Sequence, residues 1–216
     1  MLNETHPLKF SYEARYAQIG QLSADTRELW IVCHGYGQLA PYFINHFQAL
    51  DQPHRVIVAP EGLNRFYLSG FEGRVGATWM TKEERLVDIQ NYLAYLDTLY
   101  QHVTQGLDIT NLKVTILGFS QGAATVSRWV TQGKIAFDRL ILWAGIFPPD
   151  LNIPKSKARL DQKEVYFVYG NQDPFLSKGD RVAEQRSIAR MLDVEPQMVQ
   201  FDGEHVIHRE TLLSLV

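Results

Sequence analysis

The sequence predicts an α/β protein with a mostly parallel, doubly wound sheet and helices on both faces. Short continuous apolar runs, which are typical of parallel strands covered on both sides, recur along the chain. These runs are Leu29–Cys33, Arg55–Ala59, Val114–Leu117, Leu140–Trp143 and Val165–Tyr169. Helical segments fall between them, and this alternation implies right-handed β–α–β crossovers. We therefore expect one wound sheet with a functional edge where its strands end.

Other elements are predicted from their periodicity. Residues 8–19 alternate, with Phe10, Tyr12, Ala14 and Tyr16 on one face, which predicts a half-exposed first strand. Residues 198–201 are a weaker candidate for a last strand. Helices are predicted over Lys82–Val103, Gln121–Val130, Gly179–Leu192 and His205–Val216. Residues 60–80 are predicted to form a long loop, and such loops in compact domains are often functional.

Length and composition limit the classes of protein. The chain has 216 residues without repeats or linkers, so we expect a single domain over residues 1–216. A net charge of −3 gives no reason to expect nucleic acid or an anionic membrane as partner. Cys33 is the single cysteine, and neither a signal peptide nor an apolar run of the roughly 18 residues needed for stable membrane insertion is present. We expect a cytoplasmic protein, and no pattern indicates an oligomeric state.

The segment Gly118-Phe119-Ser120-Gln121-Gly122 reads G-x-S-x-G between an apolar run and a helical segment. A serine in a turn is ordinarily a turn former whose hydroxyl bonds nearby backbone. In this setting it can instead be the exposed nucleophile of a strand–turn–helix elbow, with glycines that let strand and helix approach. We predict that Ser120 is a nucleophile.

A serine nucleophile needs a histidine base and an acid that orients the base. In a fold of this class the acid follows the serine along the chain, and the histidine comes last. His205 comes just after the predicted last strand and is favoured over His208, which falls on the predicted helix. Asp173 follows an apolar strand in a turn bounded by glycine and proline. The weaker alternatives for the acid are Asp150, Asp161, Asp180, Asp193 and Asp202. We predict Asp173 as the acid and His205 as the base.

Two backbone amides are expected to stabilise an oxyanion. One is the N–H of Gln121, directly after the nucleophile, and the other is the N–H of Tyr36 in the segment His34-Gly35-Tyr36-Gly37. The alternative for this segment is a plain turn. His34 precedes the serine and is expected to be structural, as is Cys33 within a buried strand.

Together these segments resemble the carboxylesterase/phospholipase family of α/β-hydrolases, which includes acyl-protein thioesterases. The resemblance covers nearly the whole chain through HGYG, GFSQGAA, YGNQDPFL and FDGEH, in that order. It implies an α/β-hydrolase fold without a separate lid domain and marks Ser120, Asp173 and His205 as the triad, with Tyr36 and Gln121 as oxyanion donors. The family usually has Trp-Phe-Asp where this chain has Trp79-Met80-Thr81, and the preceding loop also differs.

The resulting hypothesis is a serine hydrolase that cleaves carboxylic esters, with thioesters as a second candidate, of small or medium acyl chain. No cofactor or metal is implied. Phe71, Trp79 and Met80 are candidates to line an acyl slot, with anchoring of the loop as the alternative. Arg65 and Arg74 could meet an anionic leaving group or be merely solvated, and residues 147–149 could wall the same cleft. The alternatives are a non-catalytic ligand-binding protein of the same fold and an acyltransferase using the same triad.

Overall fold

The strands form a seven-stranded sheet in the computed structural model, which describes residue 4 and residues 6–176 and 181–216. The strands are β1 (Tyr16–Ile19), β2 (Glu28–Cys33), β3 (Arg55–Pro60), β4 (Asn64–Tyr67), β5 (Val75–Thr78), β6 (Lys113–Phe119), β7 (Arg139–Trp143), β8 (Glu164–Gly170) and β9 (Gln197–Phe201). The strand order in this sheet is β1-β3-β2-β6-β7-β8-β9, and only β1 runs antiparallel to its neighbour. The other two strands, β4 and β5, pair with each other as an antiparallel hairpin.

Helices cover both faces of the sheet. They are α1 (Ala40–Phe43), α2 (Arg85–Thr104), α3 (Gln121–Gln132), α4 (Ile153–Leu160), α5 (Arg181–Met191) and α6 (Arg209–Leu213), with 3-10 turns at Ile44–Leu50 and Ile109–Asn111. Alternate residues of β2 point to opposite sides: Leu29 and Ile31 join the core beneath α2 to α5, whereas Trp30 and Val32 join the core beneath α1 and α6. The predicted fold class, a mostly parallel doubly wound sheet, is confirmed.

The first predicted strand is shorter than expected. Only Tyr16–Ile19 pairs with β3, and the register ends where Tyr16 faces Pro60. Upstream of this pair, Leu8 and Phe10 are exposed rather than half-buried. A strand needs a neighbouring strand to bond its backbone, and the last backbone bond here is the one from the Glu61 N–H to the Arg15 carbonyl at 3.0 Å.

Several helix and loop boundaries also differ from prediction. The last helix begins at Arg209, which leaves His205 on a loop, and the helix predicted from Gly179 is described from Arg181, because Gly179 lies outside the described residues. The predicted loop at residues 60–80 contains the β4–β5 hairpin. Two further helices, α1 and α4, were not predicted because they have only four and eight residues, too few for a recognisable apolar stripe.

Candidate active site

Ser120 lies at the sharp turn between β6 and α3. Its backbone adopts φ 55° and ψ −116°, a conformation that L-residues rarely occupy and that is typical of a nucleophile elbow. The Ser120 N–H donates to the Trp143 carbonyl at 2.8 Å, which ties the turn to the end of β7. A Cβ on Gly118 would meet the Gly122 carbonyl at 2.3 Å, and one on Gly122 would meet the Cys33 carbonyl at the same distance. The elbow therefore requires glycine at both positions.

Asp173 and His205 are brought together at the same edge of the sheet. Asp173 follows β8 and is fully buried, whereas His205 follows β9. Asp173 Oδ2 lies 2.7 Å from His205 Nδ1, and Asp173 Oδ1 accepts from the Phe175 N–H at 2.8 Å. A carboxylate can only accept, so Nδ1 carries the proton and a neutral ring presents Nε2 as a base.

The His205 ring lies between two aromatic rings. Phe119, which directly precedes Ser120, has its ring centroid 4.9 Å from that of His205, and Phe175 has its centroid 4.7 Å away on a tilted ring. The packing against Phe119 places the imidazole beside the elbow. Although both residues are described, no hydrogen bond joins the Ser120 hydroxyl to the His205 ring; such catalytic bonds are often long before substrate binds. Sequence reasoning did not identify the role of Phe175.

His208, the alternative base, has a different role. Its Nδ1 lies 2.9 Å from Thr211 Oγ1 and accepts from the Thr211 N–H, so it caps α6. Its ring also stacks on Phe201 with centroids 5.1 Å apart. These contacts hold the His208 ring at the start of α6 and against Phe201.

The segment after β2 presents an unused amide next to the elbow. The Gly35 N–H donates to Gln38 Oε1 at 2.8 Å, and the Gly37 N–H donates to the Ala77 carbonyl at 2.9 Å. Within the described part of the chain, the N–H groups of Tyr36 and Gln121 have no hydrogen-bond acceptor. Both predicted oxyanion donors are therefore available to a ligand.

His34 lies beneath this segment and is fully buried. Its Nε2 accepts from the Gly62 N–H at 2.9 Å, so the proton is on Nδ1, which bonds the Gly35 carbonyl at 2.8 Å. Burial lowers the pKa of His34, although the bond to Gly35 opposes the shift. A neutral, doubly bonded imidazole of this kind supports the backbone and is unavailable as a base.

The three predicted acyl-slot residues have three different environments. Phe71 is 91% exposed on the loop between β4 and β5, whereas Trp79 is 1% exposed and donates its indole N–H to the His34 carbonyl at 2.9 Å. The half-buried Met80 packs against the core, with its Sδ 4.0 Å from Arg128 Nη1. Trp79 is a core residue, because its N–H finds a buried acceptor, and it cannot line an open slot.

Two other predicted contributors to a cleft also lie elsewhere. Phe147 is fully buried against Phe167 and its N–H donates to Gln185 Oε1 at 2.7 Å, so it does not wall an open cleft. Arg65 pairs with the buried Glu61 carboxylate at 2.7 Å. Its guanidinium is held by this carboxylate and not presented to a leaving group.

An ion network around the buried Arg128 supports α3 and was not identified from the sequence. Asp150, in the segment after β7, bonds Arg128 at 2.8 Å and Arg85 at 2.6 Å. Arg128 is 3% exposed and also reaches the Tyr92 hydroxyl at 3.4 Å. Burial alone would raise the pKa of Asp150, but the hydrogen bonds from Arg128 and Arg85 lower it. The only signal in the sequence was that Arg128 is the one charged residue of α3.

A metal site or a membrane span would each need its own arrangement of side chains among the described residues. No group of three or more His, Cys, Asp and Glu side chains among them is arranged to hold a metal ion. None of their helices is long and apolar enough to cross a membrane.

Comparison with known proteins identifies the family. Residues 14–215 match the sequence model of the phospholipase/carboxylesterase family. The chain belongs to this family. Its members are hydrolases that act on esters, so the predicted family and the hydrolase class are confirmed. No curated protein matches the chain in sequence.

Solved structures of similar fold include several esterases. The acyl-protein thioesterase 2 of Zea mays superposes with a TM-score of 0.69 at 14% identity, over 94% of this chain and 96% of that one. Esterase PE8 gives a TM-score of 0.70 at 18% identity, over 94% and 96% of the two chains. A carboxylesterase from Bacillus cereus gives 0.65 at 15% identity, over 93% and 91%. At these identities the likeness supports the α/β-hydrolase fold.

Proposed function

We propose that the protein is a serine esterase that uses Ser120, His205 and Asp173 as a catalytic triad. The observation that carries this proposal is the 2.7 Å contact between His205 Nδ1 and the fully buried Asp173 carboxylate, beside a serine in a strained elbow. A buried carboxylate needs a partner, and here the partner is an imidazole whose other nitrogen is left to accept a proton. Local turn formation by Ser120 would require none of these groups.

The proposed reaction is acyl transfer to water in two steps. Ser120 Oγ attacks the carbonyl carbon while its proton passes to His205 Nε2, and Asp173 stabilises the imidazolium that forms. The C–O bond to the leaving alcohol then breaks, and His205 returns the proton to that oxygen. Water attacks the acyl-serine with the same base, which releases the acid and restores the serine hydroxyl. Thioesters would react in the same way with a thiol as leaving group.

The amides of Tyr36 and Gln121 are proposed to hold the negatively charged oxygen in both steps. Each is free of an acceptor among the described residues, and the Gln121 amide opens α3, where the helix dipole also favours negative charge. A prearranged pair of donors needs no rearrangement when the charge develops. We infer that these donors supply the largest electrostatic part of the rate enhancement.

The substrate class is proposed to be small or medium acyl esters. Near the oxyanion segment, the Tyr36 ring lies 5.0 Å from the Phe66 ring, and a Cβ on Gly37 would lie 3.0 Å from Leu68 Cδ2. This apolar surface of the β4–β5 hairpin lies beside the free Tyr36 amide. It favours an uncharged acyl group over an ionic one.

The decisive experiment compares wild type with Ser120→Ala on p-nitrophenyl esters and acyl thioesters of graded chain length. We expect the variant to lose turnover by at least about 10³-fold and to lose labelling by a fluorophosphonate, while circular dichroism stays unchanged. Ser214→Ala, which changes an exposed serine on the last turn of the chain, is the matched control and should retain both. Fluorophosphonate labelling that survives in Ser120→Ala would refute the assignment.

The same panel separates the alternatives. An acyltransferase would pass the acyl group to an added alcohol or amine in competition with water, whereas a hydrolase would form the free acid regardless. A ligand-binding protein would turn over no member of the panel. We also expect kcat/KM to fall in acid, because a protonated His205 cannot accept the serine proton; a profile that stays flat down to about pH 4 would contradict the base role.

A further inference from the structure

The β5 strand and the two residues after it contact both segments that carry the proposed oxyanion donors. On one side, the Gly37 N–H donates to the Ala77 carbonyl at 2.9 Å, and the Ala77 N–H donates to the Gln38 carbonyl at 3.1 Å. These bonds form an isolated antiparallel bridge between Gln38 and Ala77. A Cβ on Gly76 would meet the Gly37 carbonyl at 2.4 Å, so the two backbones are in direct contact.

On the other side, the same stretch is bonded to the side chain of Gln121. The Trp79 N–H donates to Gln121 Oε1 at 3.1 Å, and Gln121 Nε2 donates to the Met80 carbonyl at 3.0 Å. The Trp79 N–H can only donate, and the Met80 carbonyl can only accept. Together they fix the orientation of the Gln121 amide, with Oε1 towards Trp79 and Nε2 towards Met80. The side chain of Gln121 thus bonds the hairpin while its own backbone N–H remains free.

Thr78 completes this arrangement. Its hydroxyl accepts from Gln121 Nε2 at 2.9 Å and lies 2.9 Å from the Met80 carbonyl and 3.0 Å from Gln121 Oε1. A hydroxyl has one proton, and both the Met80 carbonyl and Gln121 Oε1 have a lone pair free to accept it. Thr78 is 2% exposed, which shields these bonds from water. The contact between elbow and hairpin is therefore fully paired and rigid.

We propose that residues 76–80 position the two oxyanion donors relative to each other, with the Gln121 side chain and Thr78 as positioning residues. The main-chain bridge at Ala77 fixes the Tyr36 segment, and the side-chain bonds of Gln121 fix the first amide of α3. This proposal rests on the proposed function, since it assigns a role within the same site. It gives Gln121 two separate roles: its backbone N–H faces the substrate, and its side chain bonds residues 78–80.

The physical reason is that oxyanion stabilisation depends on the placement of two donors at once. Removal of one donor typically reduces kcat by about 10²- to 10³-fold, and a displaced donor loses part of this effect. Tyr36 and Gln121 lie on different elements, the segment after β2 and the start of α3. The hairpin residues bridge them, so loosening the bridge should lower kcat and leave ground-state binding largely unchanged.

The experiment measures Thr78→Val and Gln121→Leu for kcat, KM and affinity for a trifluoromethyl ketone. In the adduct, Ser120 Oγ bonds the ketone carbon, its proton passes to His205, and the carbonyl oxygen becomes the oxyanion. We expect kcat to fall by about 10-fold in each variant, with KM within about twofold, and the inhibitor affinity to fall by the same factor as kcat/KM. Thr78→Ser keeps the hydroxyl and should retain most of the wild-type rate.

Thr131→Val is the matched control, because it removes a buried hydroxyl bonded to the Ser127 carbonyl at 2.7 Å near the other end of α3. It should keep wild-type kcat whatever its melting temperature. Wild-type kcat and inhibitor affinity in Thr78→Val and Gln121→Leu would overturn the positioning role, as would equal kcat losses in Thr131→Val. If Gln121→Leu is insoluble, Thr78→Val against Thr78→Ser decides. A wild-type protein without turnover or fluorophosphonate labelling would overturn the proposed function itself.

Discussion

The elbow and the outer part of the β4–β5 hairpin both lie near the candidate site, but they are built in opposite ways. At Gly118 and Gly122 a Cβ would meet backbone atoms at 2.3 Å, whereas at Gly70 and Gly73 it would meet nothing within 4 Å. The packed region holds the groups proposed to perform the chemistry, and the open region carries the exposed apolar side chains. Tight packing fixes the backbone of the elbow, whereas an open turn leaves its side chains free to change conformation.

The same contrast separates the inner and outer halves of the hairpin. Ala77, Thr78 and Trp79 are buried and bonded to the oxyanion segment or the elbow, but Tyr67, Leu68 and Phe71 are exposed. The hairpin therefore supports the groups proposed to be catalytic at its base and offers an exposed surface at its tip. A family can vary its substrate through such a tip without disturbing the machinery beneath.

The largest expected effect comes from adding one methyl group to the packed region. Gly122→Ala would drive a Cβ into the Cys33 and His34 carbonyls of β2 and the following residue. Backbone atoms cannot rotate away as a side chain can, so we expect the free energy of unfolding to fall by about 3 kcal/mol. Urea denaturation followed by tryptophan fluorescence measures the change.

Gly70→Asn is the control from the open region. Gly70 has φ 59° and open space around it, and asparagine tolerates this backbone conformation. Its free energy of unfolding should change by less than about 0.5 kcal/mol. Equal losses in the two variants would show that the packed and open regions do not differ in the way described.

An intermediate effect is expected from the ion network behind the elbow helix. Asp150→Asn removes the counter-charge of the buried Arg128 guanidinium. Loss of one partner of a buried pair typically destabilises by 3 to 5 kcal/mol, but the Asp150 side chain is 34% exposed, so we expect about 2 kcal/mol at neutral pH.

The stabilisation by Asp150 is expected to depend on pH in a definite direction. The pKa of Asp150 is lower in the folded chain than in the unfolded chain, because Arg128 and Arg85 favour the carboxylate against the effect of burial. Its stabilisation is therefore present above about pH 4, the unfolded value, and is lost as the pH falls through the folded pKa. The difference between wild type and Asp150→Asn should shrink in acid. Asp193→Asn, in the exposed pair with Lys157, should cost little at any pH, and an equal cost would contradict the burial argument.

Local patterns were sufficient to predict much of the molecule. The apolar runs predicted the central parallel strands, since a strand that is buried on both faces is apolar along its whole length. The elbow was predicted because a strand, two glycines and a helix lie within a few residues of Ser120. For Asp173 and His205, the prediction came from their order and their place after strands, and the structure brings them to 2.7 Å.

Contacts between distant segments could not be predicted in this way. The bonds from Gln121 to Trp79 and Met80 join residues 42 and 41 positions apart, and no spacing in the chain marks them. Trp79 was assigned to an acyl slot because it is an apolar residue of a long loop, and the pattern of a loop does not indicate which of its side chains are buried. Its buried indole N–H donates a hydrogen bond to the His34 carbonyl, which lies 45 positions away in the chain.

The smallest effect on stability is expected at the tip of the hairpin. Phe71 is 91% exposed, so Phe71→Ala should change the free energy of unfolding by less than about 0.5 kcal/mol. If the ring covers part of a bound acyl chain, as expected for a candidate acyl-slot residue, KM for longer p-nitrophenyl esters should rise by about 5-fold, corresponding to roughly 1 kcal/mol of lost apolar contact. Esters of short acyl chains should show a smaller rise in KM, because they offer less apolar surface to the ring.

Phe10→Ala is the control for this last comparison, because Phe10 is also an exposed phenylalanine but lies on the segment before β1. It should leave KM unchanged for every chain length. A uniform KM for Phe71→Ala across the ester series would show that the tip does not contact the acyl chain. The apolar surface near Phe66 and Leu68, where the hairpin lies against the oxyanion segment, would then be the whole of the proposed acyl surface.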